Sequence, residues 1–373
     1  MNINFHYFAV KTIAVAAGFD DAQAQQIAKY SQFVDDYSAH TIMACSNIPE
    51  AVVSSSVLDL YSPSLRGNFR PVSTGFAGAF EYANLVVKRE QRFILSPFHF
   101  GVFDETHAGA EGSRVAPLCF DDNSLIDRLL QKEIDDFLNG ENQNITLMRL
   151  GMLLHVFADT YAHQMFTGFD SLANRVSIVD VVNNITGEDI TNPERAGIRG
   201  FFGSIMSSIP AIGHVQAGSN PDLSHISFSF SYNNEDDTAA VHSRDNTEAF
   251  LETARNIFCY LQKCRDKPCH DYAWDEIKIK MRQGLMVERP RRNTVSSLAE
   301  HWNETFPEIN YHYSSNDINR DFRLAPTSLS QMTRNAYTAY SDEFYEYNIM
   351  ANQLLVALYG PKPRLTPQAS PSS

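Results

Sequence analysis

The stretch LLHVFADTYAHQMF places His155, Asp159 and His163 at i, i+4 and i+8. Residues four apart share one face of an α-helix, so the three form a stripe with one turn between neighbours. Leu147, Leu150, Gly151, Leu154 and Ala158 recur at helical spacing around them, which turns the stripe inward. Two imidazoles and a carboxylate aimed into a core are costly unless they are hydrogen-bonded to one another or bind a metal. A buried His–Asp–His relay is one reading. Three ligand-type residues in register favour the other, a metal site. Three protein groups leave an open position on Zn²⁺, as a catalytic site requires. Because the stripe spans two turns, Asp159 or His163 is free to serve a second ion.

Other candidate groups are dispersed. His6 stands in FHYF at the start of the first helix, and Asp35 and Asp36 end SQFVDD. His99 lies in the aromatic SPFHF, and His214 opens GHVQAGSNPD, which ends on Asp222. Each has an ordinary structural reading: a packed core histidine for His99, a helix-end carboxylate for Asp36, a turn signal for Asp222 after Pro221. Their joint occurrence with the central stripe is what raises them. His40, His107, His225, His242, His270, His301 and His312 lie in polar surroundings and are expected as surface groups.

The elements that must position these groups are mostly helices. Residues 8–17 read as a helix stopped by Gly18, and Asp20 or Asp21 caps a second one through about Tyr37. Residues 46–78 read as loops with short elements, and 79–92 as helical. The segment from Ser96 through 113 reads as a loop, 121–140 as an amphipathic helix and 144–166 as a strongly apolar one. The alternation Ile226, Phe228, Phe230, Tyr232 predicts one strand. Helices follow over about 246–263, 275–284 and 342–358. The expectation is a mainly α protein, with one catalytic domain over 1–360, long loops, at most one short β element, and a disordered Pro- and Ser-rich tail over 361–373.

Composition narrows the partners. Thirty basic against forty-four acidic residues give a net charge of −14. That excludes gripping duplex nucleic acid through a basic face, and it disfavours docking on strongly anionic membranes. It does not exclude a phosphate held through metal ions, which reverse the local charge. Of the five cysteines, Cys259, Cys264 and Cys269 cluster at spacings of five. The cluster allows one disulfide, with free buried thiols the preferred reading. No transmembrane span is expected. The N-terminal stretch has no basic leader region, so it reads as the first helix of the mature protein rather than as a signal peptide. Any export must then use a route without a cleavable leader; otherwise the protein stays in the cytoplasm.

The order His6, Asp36, His99, His155, Asp159, His163, His214 resembles that of the zinc-dependent phospholipases C and fungal single-strand nucleases. It is most similar to the zinc metallophospholipases C of Gram-negative bacteria. HYFAVKTIAVAAGF, SQFVDD, PFHF, the His155-x-x-x-Asp159 helix, GH…PD and the RDN of SRDNTEAF look like family landmarks, spanning roughly residues 4–262. The resemblance implies an all-helical fold and two or three Zn²⁺ ions held by His6, Asp36, His99, His155, Asp159, His163, His214 and Asp222. Three features depart from the Bacillus-type enzymes, one being that the third ligand of their central motif lies six residues after the Asp, whereas His163 lies four after Asp159. Those enzymes use the α-amino group of their mature N-terminus as a ligand, whereas here five residues precede His6, so that ligand is not assigned. They also carry a late His-x-x-x-Glu pair, whereas the nearest carboxylate after His214 is Asp222.

The activity so implied is hydrolysis of the glycerol-side phosphodiester bond of a phospholipid at a membrane surface, by a monomer. Zwitterionic lipids such as phosphatidylcholine suit the acidic surface better than anionic ones. Asp36 or Asp35, whichever does not bind metal, is the candidate general base or ligand partner. Asp245 and Asn246 either orient ligands or cap a helix. The apolar run from Phe201 to Ile212 reads as a buried helix, or else as an interfacial loop. Single-stranded nucleic acid is the alternative substrate, and a helical protein with structural zinc the non-enzymatic alternative.

Overall fold

The computed structural model describes residues 1–39, 41–62, 68–75, 90–101, 114–191, 211–233, 238–269, 271–288, 294–325 and 338–361. A π-helical turn over Asn4–Ala9 leads into α1 (Val10–Ala17), which stops at Gly18, and then α2 (Asp21–Asp36). Next come β1 (Met43–Ala44), α3 (Glu50–Val53), β2 (Tyr61–Ser62) and β3 (Asn68–Phe69). A second π-helical segment, Gln91–Phe100, precedes α4 (Leu125–Leu138), α5 (Gln143–Ala162) and β4 (Val176–Asn183). The chain ends with β5 (Ile226–Asn233), β6 (Ala239–Asp245), α6 (Asn246–Lys263), α7 (Asp271–Leu285), α8 (Thr294–Thr305), α9 (Ser315–Asp321) and α10 (Asp342–Tyr359).

The protein is mainly helical, with two antiparallel three-stranded sheets, ordered β1-β3-β2 and β4-β5-β6. All-helical, with one short β element, is therefore too strict. The strand expected at 226–232 is the centre of a sheet whose flanking strands are less regular: β4 carries a register shift between Ile178 and Asp180, and β6 is mixed in polarity. Ser96–Phe100, expected as loop, is helical, and α8 and α9 occupy what read as polar loop. Most of the expected helix at 79–92, the apolar run through 210 and the tail from 362 lie outside the described residues, as do His40, His107 and His270. Among the described residues no helix is long and apolar enough to cross a membrane.

The stretch 1–360, expected as one domain, comprises two compact units: Met1–Val34 with Gly78–Tyr313, and Asp35–Ala77 with Ser314–Ser373. In the first, α5 is buried over nearly its whole length, as a helix apolar on every side must be. Asn142 caps it, its side chain accepting from Ile145 N, and His163 is its C-cap. Gly151 lets α2 press against it, since a Cβ there would meet Ile27 O at 2.3 Å. Gly168 likewise admits the second π-helical segment: a Cβ would lie 2.8 Å from Ser96 Cα. The inner face of the larger sheet (Ile226, Phe228, Phe230) packs with Phe100, Phe166 and Val181.

In the second unit, the Phe69 ring packs against Phe344 and Tyr345 of α10. Asn348 accepts from Val72 N at 2.7 Å, tying the small sheet's continuation to that helix. Returning to the first unit, Cys259 and Cys269 form a disulfide, which corrects the preference for free thiols. The chain turns back after α6, at Asp266 with φ of 52°, and this brings Cys269 to 4.9 Å from Cys259, Cα to Cα. Cys264 between them stays reduced and buried.

Candidate metal centre

Five chain segments of the first unit bring their polar side chains to the end of α5. His155 and Asp159 come from α5 itself and His163 from its C-cap. His6 and His99 come from the two π-helical segments. The extra residue in such a turn re-aims side chains, and π-helical turns recur at functional sites. His214 precedes one short 3₁₀ turn and Asp222 closes the next. The ligand atoms form three overlapping groups among the described residues: an inner one of His6, His155 and Asp159, an outer one of His163, His214 and Asp222, and one of Asp35, His99 and His155.

The inner group is sealed: His6, His155 and Asp159 are at most 1% exposed. Asp159 is its hub. Oδ1 faces the Met1 amino group and His6 Nε2, the latter at 3.0 Å. Oδ2 lies 3.2 Å from His99 Nδ1, 3.3 Å from His155 Nε2 and 3.8 Å from His163 Nδ1. His155 Nε2 is also 3.3 Å from His99 Nδ1. Two nitrogens and one oxygen thus form a triangle of near-equal edges. A neutral imidazole has one N–H, so its proton cannot satisfy every edge. The His6 and His155 rings stack at 3.8 Å between centroids. If His6 Nε2 donates to Asp159, His6 Nδ1 is left buried with no hydrogen-bond partner among the described residues.

The outer group opens to solvent. The side chains of His214 and Asp222 are 22% and 21% exposed, against 6% for His163. Here the tautomers are fixed. His163 Nδ1 donates to the His99 carbonyl, and His214 Nδ1 donates to Gly218 O at 2.8 Å. In its neutral form each ring therefore turns Nε2, as a lone pair, toward Asp222, at 3.3 and 3.5 Å. Two lone pairs facing a carboxylate repel it unless a cation lies between them. An N–H given to a carbonyl with the other nitrogen left bare is how metal-binding histidines are oriented. Phe100 stacks on His163 at 4.5 Å, and His163 on His214 at 4.8 Å, which holds the rings parallel.

Burial and charge together set the protonation states. Desolvation holds the His6 imidazole well below its ordinary range and pushes His163 down to about 4, so both rings are neutral near pH 7. Burial alone would raise the Asp159 carboxyl. The Met1 amino group, first among the neighbouring charges, overcomes that and holds it ionised far below the usual carboxylate range. Asp222 is held down against burial in the same way, chiefly by His214 and the Met1 amino group. Neutral imidazoles beside ionised carboxylates are the protonation states a metal ion requires. The donor sets fit one.

Of the sequence candidates, His6, His99, His155, Asp159, His163, His214 and Asp222 meet at this place. Asp35, at the end of α2, also offers a ligand atom within 4.8 Å of those of His99 and His155, and Asp36 beside it is half-buried. Asp245 caps α6, accepting from Thr247 N and Glu248 N at 2.8 and 3.3 Å. Asn246 instead donates to Asn220 O and Leu223 O, both at 2.7 Å, and so holds the loop of Asp222. His225, expected at the surface, is 8% exposed, and His242 is half-buried. The Met1 amino group was not assigned. It lies against Asp159 and 3.4 Å from Asp222 Oδ1, between the two groups. The comparison with enzymes that use such an amine was the available signal.

Over residues 1–355 the chain matches the model of a family of unknown function, DUF6765. The chain belongs to that family. Neither a curated protein nor a solved structure matches it.

Proposed function

We propose that the protein is a zinc-dependent phosphodiester hydrolase of phospholipase C type, releasing a diacylglycerol and a phosphorylated head group. The observation that carries this reading is the outer group. Two bare Nε2 atoms face one partly exposed carboxylate, directly beside a sealed group of the same donor chemistry. Bound zinc supplies a water of pKa near 7 and positive charge for the phosphodiester oxygens. His6, His155 and Asp159, with His99, hold the inner cation; His163, His214 and Asp222 hold the outer one. Asp159, in reach of His6, His99, His155 and His163, keeps the two groups in register. The solvent-open side at His214 and Asp222 is where a phosphodiester enters. The order of ligand residues along the chain supports a phospholipid substrate. The charge of −14 favours a zwitterionic head group.

Elemental mass spectrometry of the protein, purified without chelator, tests the metal first. Two or three equivalents of zinc are expected, and none after zinc repletion overturns the reading. Phosphatidylcholine dispersions then test the chemistry, with phosphocholine release expected and abolished by chelator. Zinc-loaded protein that cleaves single-stranded nucleic acid but no lipid would overturn the lipid assignment and keep the phosphodiesterase. Zinc without any hydrolysis would make the centre structural.

A further inference from the structure

Arg244 reaches the backbone on both sides of the outer group. It lies on β6, one residue before the cap of α6, and is 8% exposed. Its Nη1 donates to Tyr161 O at 2.8 Å and Ala162 O at 2.7 Å, the last two residues before His163. Its Nη2 donates to Pro221 O at 3.1 Å, the residue before Asp222. Its Nε donates to Asn246 Oδ1 at 2.7 Å. Asn246 then secures Asn220 and Leu223, on either flank of the same carboxylate. The guanidinium stacks over Phe228 at 5.1 Å.

The chemistry of this position selects arginine. The end of α5 presents carbonyls with no partner inside the helix, and the negative end of the helix dipole favours a cation there. A planar fork can serve two helix-end carbonyls and a third from another segment at once; an ammonium cannot hold that geometry. Burial lowers the guanidinium to about 9, and the field of Asp222 opposes that, so it remains charged near pH 7. Its hydrogen bonds fix the main chain beside each ligand, not the ligands themselves.

Building on the metal centre proposed above, we propose that Arg244 is its positioning residue for the outer ion. By pinning residues 161–162 to residue 221, it sets the separation of His163 and Asp222 and so decides whether that ion is held. The test is zinc binding by Arg244→Gln and Arg244→Lys, measured by elemental analysis and calorimetric titration, with cobalt absorption reporting each site. The wild type is expected to hold an inner and an outer ion. Arg244→Gln should keep the inner one and weaken the outer by about 10–100-fold, as loss of an outer-sphere partner does. Arg244→Lys, which retains the charge and part of the reach, should restore some of that loss.

Tyr260→Phe serves as the control. It removes a buried hydrogen bond to Asp127 elsewhere in the unit, and should lower stability while leaving both ions bound. Folded Arg244→Gln with two ions at unchanged affinity overturns the assignment while the metal centre stands. So does an equal loss of the outer ion in Tyr260→Phe, which would mark a general effect of stability. Should Arg244→Gln fail to fold, Arg244→Lys decides by the same readout. Wild-type protein that binds no metal overturns both proposals.

Discussion

The inner and outer ligand groups use the same side chains and differ in what surrounds them. His6, His155 and Asp159 come from helical segments, have essentially no solvent contact, and pack ring on ring. His163, His214 and Asp222 come from a helix end and two short turns, keep one open side, and give their Nδ1 protons to backbone carbonyls. A cation in the inner group would leave only with the packing around it. One in the outer group can exchange ligands with water. On the proposed reading the difference would separate a place that holds a cation from one where a substrate can reach it, with Asp159 and the Met1 amino group between them.

That contrast is broken most sharply at its inner side. His155→Ala and Asp159→Asn remove a donor from a site whose remaining charges stay buried. Under the proposed reading both residues hold the inner ion, so hydrolysis should fall by about 10³-fold or more. Stability should drop by about 3–5 kcal/mol for Asp159→Asn, because the buried Met1 amino group loses its counter-charge. Phosphocholine release and urea unfolding check the two. Full activity in either variant would remove the inner group from the chemistry.

The metal-free protein should also respond to acid. The folded state keeps His6 and His163 neutral, whereas the unfolded chain protonates them near their ordinary 6.5. As pH falls from 6.5 toward 4, the unfolded state takes up protons the folded state does not, so stability is lost over that window. The His163 shift corresponds to about 3 kcal/mol. Below it, Asp159 and Asp222 lose their favourable charge, and the decline continues. Urea midpoints of chelated protein at pH 7, 5.5 and 4.5 should fall in that order. A flat series would mean the two rings are not sealed from water.

The outer group should behave in the opposite way to the inner one. His214→Ala alters a partly exposed side chain, so unfolding should change by less than about 1 kcal/mol. Zinc content should fall by one equivalent, with activity falling alongside. Equal destabilisation of inner and outer variants would erase the distinction.

How much of this was legible follows the strength of local signals. The stripe His155, Asp159, His163 stands out because apolar residues at helical spacing frame it. His163 nevertheless ends α5 rather than continuing it, and helix ends are where periodicity says least. His6 and His99 were identifiable as candidates by residue type and chain order. Their π-helical backbone was not, because a single extra residue in a turn leaves no periodic trace. β5 alternates cleanly, but β4 carries an irregularity and β6 is mixed in polarity, so only the central strand was readable. Arg244 reads as one more charge in RDN, since its partners are carbonyls more than twenty residues away in sequence.

Asp245 and Asn246 carry the finest form of the same comparison. They are adjacent, and the sequence allows either a cap or a role beside the ligands. Asp245 satisfies two first-turn amides of α6, so Asp245→Ala should cost about 1 kcal/mol in urea unfolding. Zinc content and hydrolysis should not change. Asn246 holds the carbonyls on both sides of Asp222, so Asn246→Ala should lose the outer ion even where its effect on stability is comparable. Two neighbours with similar stability costs and different metal counts would localise the positioning function to one hydrogen-bonding amide. The same metal count in both would return Asn246 to the role of a packed helix residue, and leave the loop of Asp222 to be held by Arg244 alone.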